Sequence, residues 1–128
     1  MREPEFLSPA IIEQLHADSL ALFGGSAGVR DRGLIESALA SARNTHLYGR
    51  GDVFDIAASY AFHIAESQAY FDGNKRTAVA AALTFLKGND VKLRVDEMLI
   101  YSAMIAIAEK RMTKSELAAI FRKHAYEP

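Results

Sequence analysis

Cysteine is missing from all 128 positions, which excludes a disulfide framework and a zinc–thiolate site and suits a reducing compartment. An excess of one charge is missing too. Fifteen basic residues against sixteen acidic give a formal charge of -1, so no strong field draws the chain to DNA or to an anionic membrane. No stretch approaches the roughly 18 uncharged apolar residues of a membrane-spanning helix. The opening MREPEFLSPA has no apolar core of the kind an export signal needs. Repeats, low-complexity tracts and interdomain linkers are absent. So are a G-x-x-x-x-G-K-[ST] loop and a strand-led G-x-G-x-x-G, which removes the P-loop, Rossmann and protein-kinase motifs. No histidine has a second ligand at His-x-x-x-His spacing, which leaves His16, His46 and His124 as surface residues. The expectation is a soluble cytoplasmic protein with no direct DNA contact and no membrane. Residues 1–128 form one domain, large enough to bury roughly two-thirds of its unfolded surface.

Helical patterning dominates what is present. Ser8-Pro9 supplies an N-cap and a proline for the first helical position, and Ile11, Ile12, Leu15, Ser19, Leu22 and Phe23 recur at helical spacing until Gly24-Gly25. Past a glycine-rich link, Asp31 caps a second helix with Leu34, Ile35, Ala38, Leu39 and Ala42 on its apolar face, ending near Asn44. Residues 46–51 read as an exposed turn. Asp52 opens a third helix, apolar nearly all round from Val53 to Ala65 and therefore central. A fourth, equally apolar, runs from Asn74 to Lys87, with Gly88-Asn89 as its stop. Val91, Leu93 and Val95 alternate with Lys92 and Arg94, which makes 91–95 at most one short extended segment. Asp96 caps a fifth helix through Leu99, Ala103 and Ile107, and Thr113-Lys114-Ser115-Glu116 carries the capping-box pattern ahead of a sixth, Leu117 to about His124. The fold class is all-α, with about six helices around one core.

Between the two most apolar helices lies the chemically densest run, Ala69-Tyr70-Phe71-Asp72-Gly73-Asn74-Lys75-Arg76-Thr77. A turn at this place aims the free N–H groups of the next helix at its mouth, where they and the helix dipole attract a phosphate. Lys75 and Arg76 add full charges at a helix start, where cations oppose the dipole unless an anion compensates them. Asp72 can hold a divalent metal that neutralises the same phosphates. The run reads as a nucleotide polyphosphate site, held rigidly between two central helices. Plainer readings stand beside it: Asp72 as a simple helix N-cap, and the two cations as solvated first-turn residues. Asp55, Ser59 and His63 have the composition of a triad, but they lie at i, i+4 and i+8 along one helix and do not converge on one atom. A polar seam is the better reading. Lys110-Arg111 and Arg122-Lys123 fit solvated helix faces.

The run Phe71 to Thr77, with Asp52 to Phe62 before it and Ala78 to Leu86 after it, closely resembles the Doc (death-on-curing) branch of the Fic family. The stretch Arg30 to Leu39 is similar to an early segment of that branch. The resemblance implies a Fic-type helical fold acting as the toxin of a toxin–antitoxin module. Fic proteins transfer AMP from ATP to a protein hydroxyl, whereas Doc toxins transfer the terminal phosphate to a threonine of elongation factor Tu and halt translation. Lys75 stands where the Fic pattern has glycine, and Val79 where it has a second arginine. Both departures lie on the Doc side, with AMP transfer as the alternative. By the same matching Asp72 would hold Mg²⁺, Gly73 and Asn74 would form the phosphate turn, and Lys75 and Arg76 would grip the phosphates of ATP. Tyr70 takes the place of a packing phenylalanine. The implied partner is a Phd-type antitoxin whose disordered tail folds on the toxin. Leu7, Leu22 and Phe23 are candidates for its groove, with core packing the plainer role for each.

One departure bears on activity. Gln68 stands where the family has the motif histidine that deprotonates the target hydroxyl, and an amide has no nitrogen that titrates near neutral pH. Losing such a base typically costs about 10²–10⁴ in rate. The expectation is a kinase-like site that is inactive or weakened yet still binds ATP, because phosphoryl transfer leans on positioning and charge. His63 lies on a different face of the third helix and is no substitute. Two origins fit Gln68. One is a deliberate replacement that spares the host, favoured by the intact remainder of the site. The other is a natural change in a homologue that has become a catalytically dead, antitoxin-binding module.

Overall fold

Side-chain caps set most of the helix starts. Ser8, Asp31, Asp52, Asp96 and Thr113 each accept a hydrogen bond from a first-turn N–H, and Asp52 and Thr113 do so within full capping boxes. The computed structural model describes residues 3–49 and 51–126. The caps open α1 (Pro9–Phe23), α2 (Arg32–Leu47), α3 (Val53–Ser67), α5 (Glu97–Ala108) and α6 (Lys114–His124). The exception is α4 (Asn74–Gly88), whose N-cap is Gly73 and whose first turn receives no side-chain cap. A two-stranded antiparallel ladder, β1 (Lys92–Leu93) with β2 (Ala125–Tyr126), completes the described residues, with Lys92 opposite Tyr126.

The architecture is all-α, as its patterning implied, and α3 is the central helix. Its residues Ile56 to Ala61 are all buried, and it packs against α2, α4, α5 and α6. Alanines 57, 58, 61 and 65 on α3 and 78, 81 and 82 on α4 are buried in this core. Their small side chains let the two helices lie close and fix where the segment between them emerges. Larger side chains, among them Tyr60, Phe85, Met104, Leu117 and Phe121, fill the remainder. No helix of the described residues is long and apolar enough to cross a membrane.

Several local expectations need correction. Leu7 is core, but Leu22 and Phe23 at the end of α1 stay 76% and 59% exposed. The face that α1 buries is instead Ile12, His16 and Ser19, so His16 is not a surface residue. The second helix runs three residues past Asn44, and His46 lies in its last turn, tilted against the Phe6 ring at 5.9 Å. Gly88 belongs to α4, which Asn89 ends. The extended segment contributes only Lys92 and Leu93, and their partner strand at 125–126 is too short to show a periodicity.

Candidate functional site

The bend between α3 and α4 begins at Gln68, an exposed residue with left-handed backbone (φ 52°). A non-glycine residue held there costs about 1–3 kcal/mol and persists only where its surroundings enforce it. Here the residues that follow are tied down one by one. The Ala69 carbonyl accepts from the N–H groups of Arg30 and Asp31 at 2.7 and 3.0 Å, and the Phe71 N–H donates to the Gly28 carbonyl at 3.3 Å. Tyr70 forms an antiparallel bridge with Val29. The Asn74 amide folds back on Tyr70, accepting from its N–H at 3.0 Å and donating to its carbonyl at 2.9 Å. From below, His16 donates its Nε2–H to the Asp72 carbonyl at 2.8 Å while its ring stacks on Tyr70 at 3.6 Å. The link between α1 and α2 thus braces the bend as much as the flanking helices do.

Asp72 does not cap α4. Its Oδ2 accepts from the Ser26 N–H at 2.7 Å. Gly25 permits this contact, since it has φ 120° and a Cβ there would fall 3.0 Å from the Asp72 Cβ. The other carboxylate oxygen, Oδ1, has no partner among the described residues. Gly73, at φ 83°, then turns the chain into α4 with the first-turn N–H groups uncapped. Asn74 is occupied as a clamp, so what it can offer an anion is its backbone N–H.

A cleft of about 420 Å³ opens at this turn, and Gln68, Asp72, Gly73, Asn74, Lys75 and Arg76 all line it. Lys75 and Arg76 have no carboxylate partner among the described residues. The Arg76 guanidinium instead sits over the rings of Phe23 at 3.8 Å and Tyr101 at 4.4 Å. Two cations without an ion pair among the described residues, beside a helix N-terminus that lacks a side-chain cap, give this place the charge an anion would favour. The donor set also suits a divalent ion. Asp72 offers one oxygen, and no group of three carboxylate or imidazole ligands exists among the described residues. That pattern fits an ion whose shell is completed by substrate phosphates rather than by a protein cage.

The third-helix seam lies elsewhere. Lys114 donates to His63 Nε2 at 3.0 Å, and burial, helped by the Lys114 charge, holds that imidazole below its ordinary pKa and therefore neutral. Asp55 completes the Asp52 capping box and faces Arg122, while the buried Ser59 hydroxyl has no partner among the described residues. The three do not converge, and His63 does not line the cleft that Gln68 lines. Reading the chain alone missed His16, Ser26 and Tyr101 as parts of this site, and it took Phe23 for an antitoxin-groove or core residue rather than a neighbour of Arg76. A signal existed for the first: His16 shares the i, i+4, i+7 row of Ile12 and Ser19.

Residues 6–86 match the Fic/DOC family. The chain belongs to that family. It is 46% identical over 85 residues to a protein of Mycolicibacterium smegmatis named Toxin Doc, a match covering 64% of this chain and 64% of that one. The matched segment therefore spans a little less than two thirds of that relative's length. It is also 28% identical over 118 residues to the Protein kinase doc of Escherichia phage P1, covering 91% and 93% of the two chains. Both relatives carry the Doc name, and this member of the Fic/DOC family lies on that branch.

Proposed function

We propose that this Fic/DOC protein is a Doc-type toxin whose cleft at the α3–α4 bend takes Mg·ATP and directs the terminal phosphate to a protein hydroxyl, at a rate held down by Gln68. One observation carries the reading. Among the described residues, Lys75 and Arg76 form no ion pair and stand at the one helix start that lacks a side-chain cap, in a cleft shared with the Asp72 carboxylate, whose Oδ1 has no partner there. Asp72 would hold the metal through Oδ1, and the first-turn N–H groups, Lys75 and Arg76 would bind phosphate oxygens. Magnesium, when bound, neutralises phosphate charge.

In the transfer the target oxygen bonds to the terminal phosphorus while the bond to the bridging oxygen breaks and ADP leaves. Lys75 and Arg76 steady that leaving charge. The Gln68 amide can orient the attacking hydroxyl but cannot take its proton, which passes to water. The rate is then about 10²–10⁴ below that of a site with an imidazole. Val79 and Lys75, together with a relative named as a protein kinase, support phosphate over AMP transfer. The proposal extends, from the resemblance to the Doc branch rather than from the relatives' names, to a threonine of elongation factor Tu as target, a Phd-type antitoxin as partner and a cytoplasmic setting. Gln68 also favours one second reading, a catalytically dead module that only binds antitoxin.

The test incubates the unmodified chain and Gln68→His with elongation factor Tu and ATP labelled at the γ or the α phosphate. The proposal expects γ label on a threonine, at least about 10²-fold faster with Gln68→His. Label from α-labelled ATP would assign AMP transfer. No label from either form, with tight antitoxin binding retained, would assign the binding module.

A further inference from the structure

We propose that Phe23 and Tyr101 form an aromatic clamp that presets Arg76 for phosphate, which makes them positioning residues of this site. The proposal rests on the nucleotide reading above and deepens it. Phe23 is the last residue of α1, Tyr101 lies on α5 and Arg76 lies in the first turn of α4, so three helices converge on one guanidinium. Its carbon lies 3.8 Å from the Phe23 centroid and 4.4 Å from that of Tyr101, over both rings. Core packing does not account for Phe23, which is 59% exposed.

The chemistry of the contact suits an anion site. Aromatic faces attract the cation through their quadrupole and use the flat face of the guanidinium. The N–H groups of Arg76 make no hydrogen bond within the described residues, so the donors that recognise phosphate in pairs stay available. A carboxylate could hold the arginine equally well, but it would neutralise the charge and compete with the phosphate. Two rings restrain the side chain and leave its charge intact. An arginine already restrained loses less rotamer freedom when it closes on a ligand, and this is where the affinity is gained. A lysine at position 76 would lack the flat face and escape the clamp.

The test is calorimetric titration of Mg·ATP into the chain and into Phe23→Leu and Tyr101→Leu, each with Arg76 present and with Arg76→Ala. Each leucine substitution should weaken binding about 2- to 5-fold with Arg76 present and change nothing once Arg76 is alanine. Phe23→Tyr and Tyr101→Phe should bind as the parent does. Without nucleotide, the Arg76 Nε–H resonance of ¹⁵N-labelled protein should lose in Phe23→Leu the part of its ring-current shift that Phe23 supplies, with the part from Tyr101 remaining, a change that a general loss of stability does not produce. Because Phe23 is mostly solvent-exposed, its substitution leaves the fold intact even where that of Tyr101 does not. The clamp is overturned if Arg76→Ala weakens binding while the leucine variants bind normally, or if they weaken it equally without Arg76. If the parent binds Mg·ATP but Arg76→Ala binds it as tightly, Arg76 is no phosphate ligand and the clamp alone falls; if the parent takes up no Mg·ATP, the nucleotide site itself falls, and the clamp with it.

Discussion

Beneath the bend, His16 holds the Asp72 carbonyl at 2.8 Å and stacks on Tyr70. His16→Leu removes both contacts and leaves a carbonyl unpaired, so the variant should lose about 1–3 kcal/mol of stability. Urea denaturation measures the loss, and faster hydrogen exchange at residues 72–74 should accompany it. Ser59 presents the opposite case. Its hydroxyl is fully buried in α3 without a partner among the described residues, so Ser59→Ala removes a desolvated polar group and loses no hydrogen bond seen there. Its stability should be unchanged or higher by up to about 1 kcal/mol, and an appreciable fall in the urea midpoint would contradict that. Such residues were the least legible part of the sequence. A lone histidine on a mixed helix face reads as surface until its row is known to face the core, and nothing local to Ser26 announces that its N–H will hold Asp72.

Helices are where the chain was most legible, because caps are local chemistry. The Thr113 box opens α6 as its pattern implied, and Thr113→Ala should lower stability by about 0.5–2 kcal/mol in thermal unfolding. At the start of α3, burial alone pushes Asp52 up. The Asp55 N–H and the Arg122 guanidinium more than offset this, holding Asp52 below the ordinary carboxylate value. A carboxylate depressed in the folded state contributes stability above its unfolded pKa, about 4, and loses it as pH falls through the folded value. Arg122→Gln should therefore melt below the parent at neutral pH, with the gap closing as pH drops through and below about 4. A melting series from neutral to acid pH checks this, and a gap that widens in acid would contradict it. What the helices concealed was pairing at a distance. The β1–β2 ladder joins residues some thirty positions apart, and the last turn of α2, past Asn44, brings His46 against the Phe6 ring, forty positions earlier in the chain.

Across the whole molecule, three separated segments build one cleft: the link after α1, the bend from Gln68 to Arg76, and the start of α5 through Tyr101. Only the bend was legible beforehand, since its acid, glycine, amide and cations sit in consecutive positions. All six residues singled out there line the cleft. The bracing link and the rings around Arg76 are tertiary facts, and the glycines at 25 and 28 hinted only that backbone would pass close to something. The glutamine at 68 separates binding from chemistry in the proposed function: the charges proposed to hold a triphosphate are in place, and a titrating base is not. Titrating Mg·ATP into the unmodified ¹⁵N-labelled chain tests that most directly. The amide resonances of Gly73, Asn74, Lys75 and Arg76 should move together along one saturable curve, and Arg76→Ala should shift that curve to higher nucleotide. If those four amides stay still at millimolar Mg·ATP, the bend is not a nucleotide site.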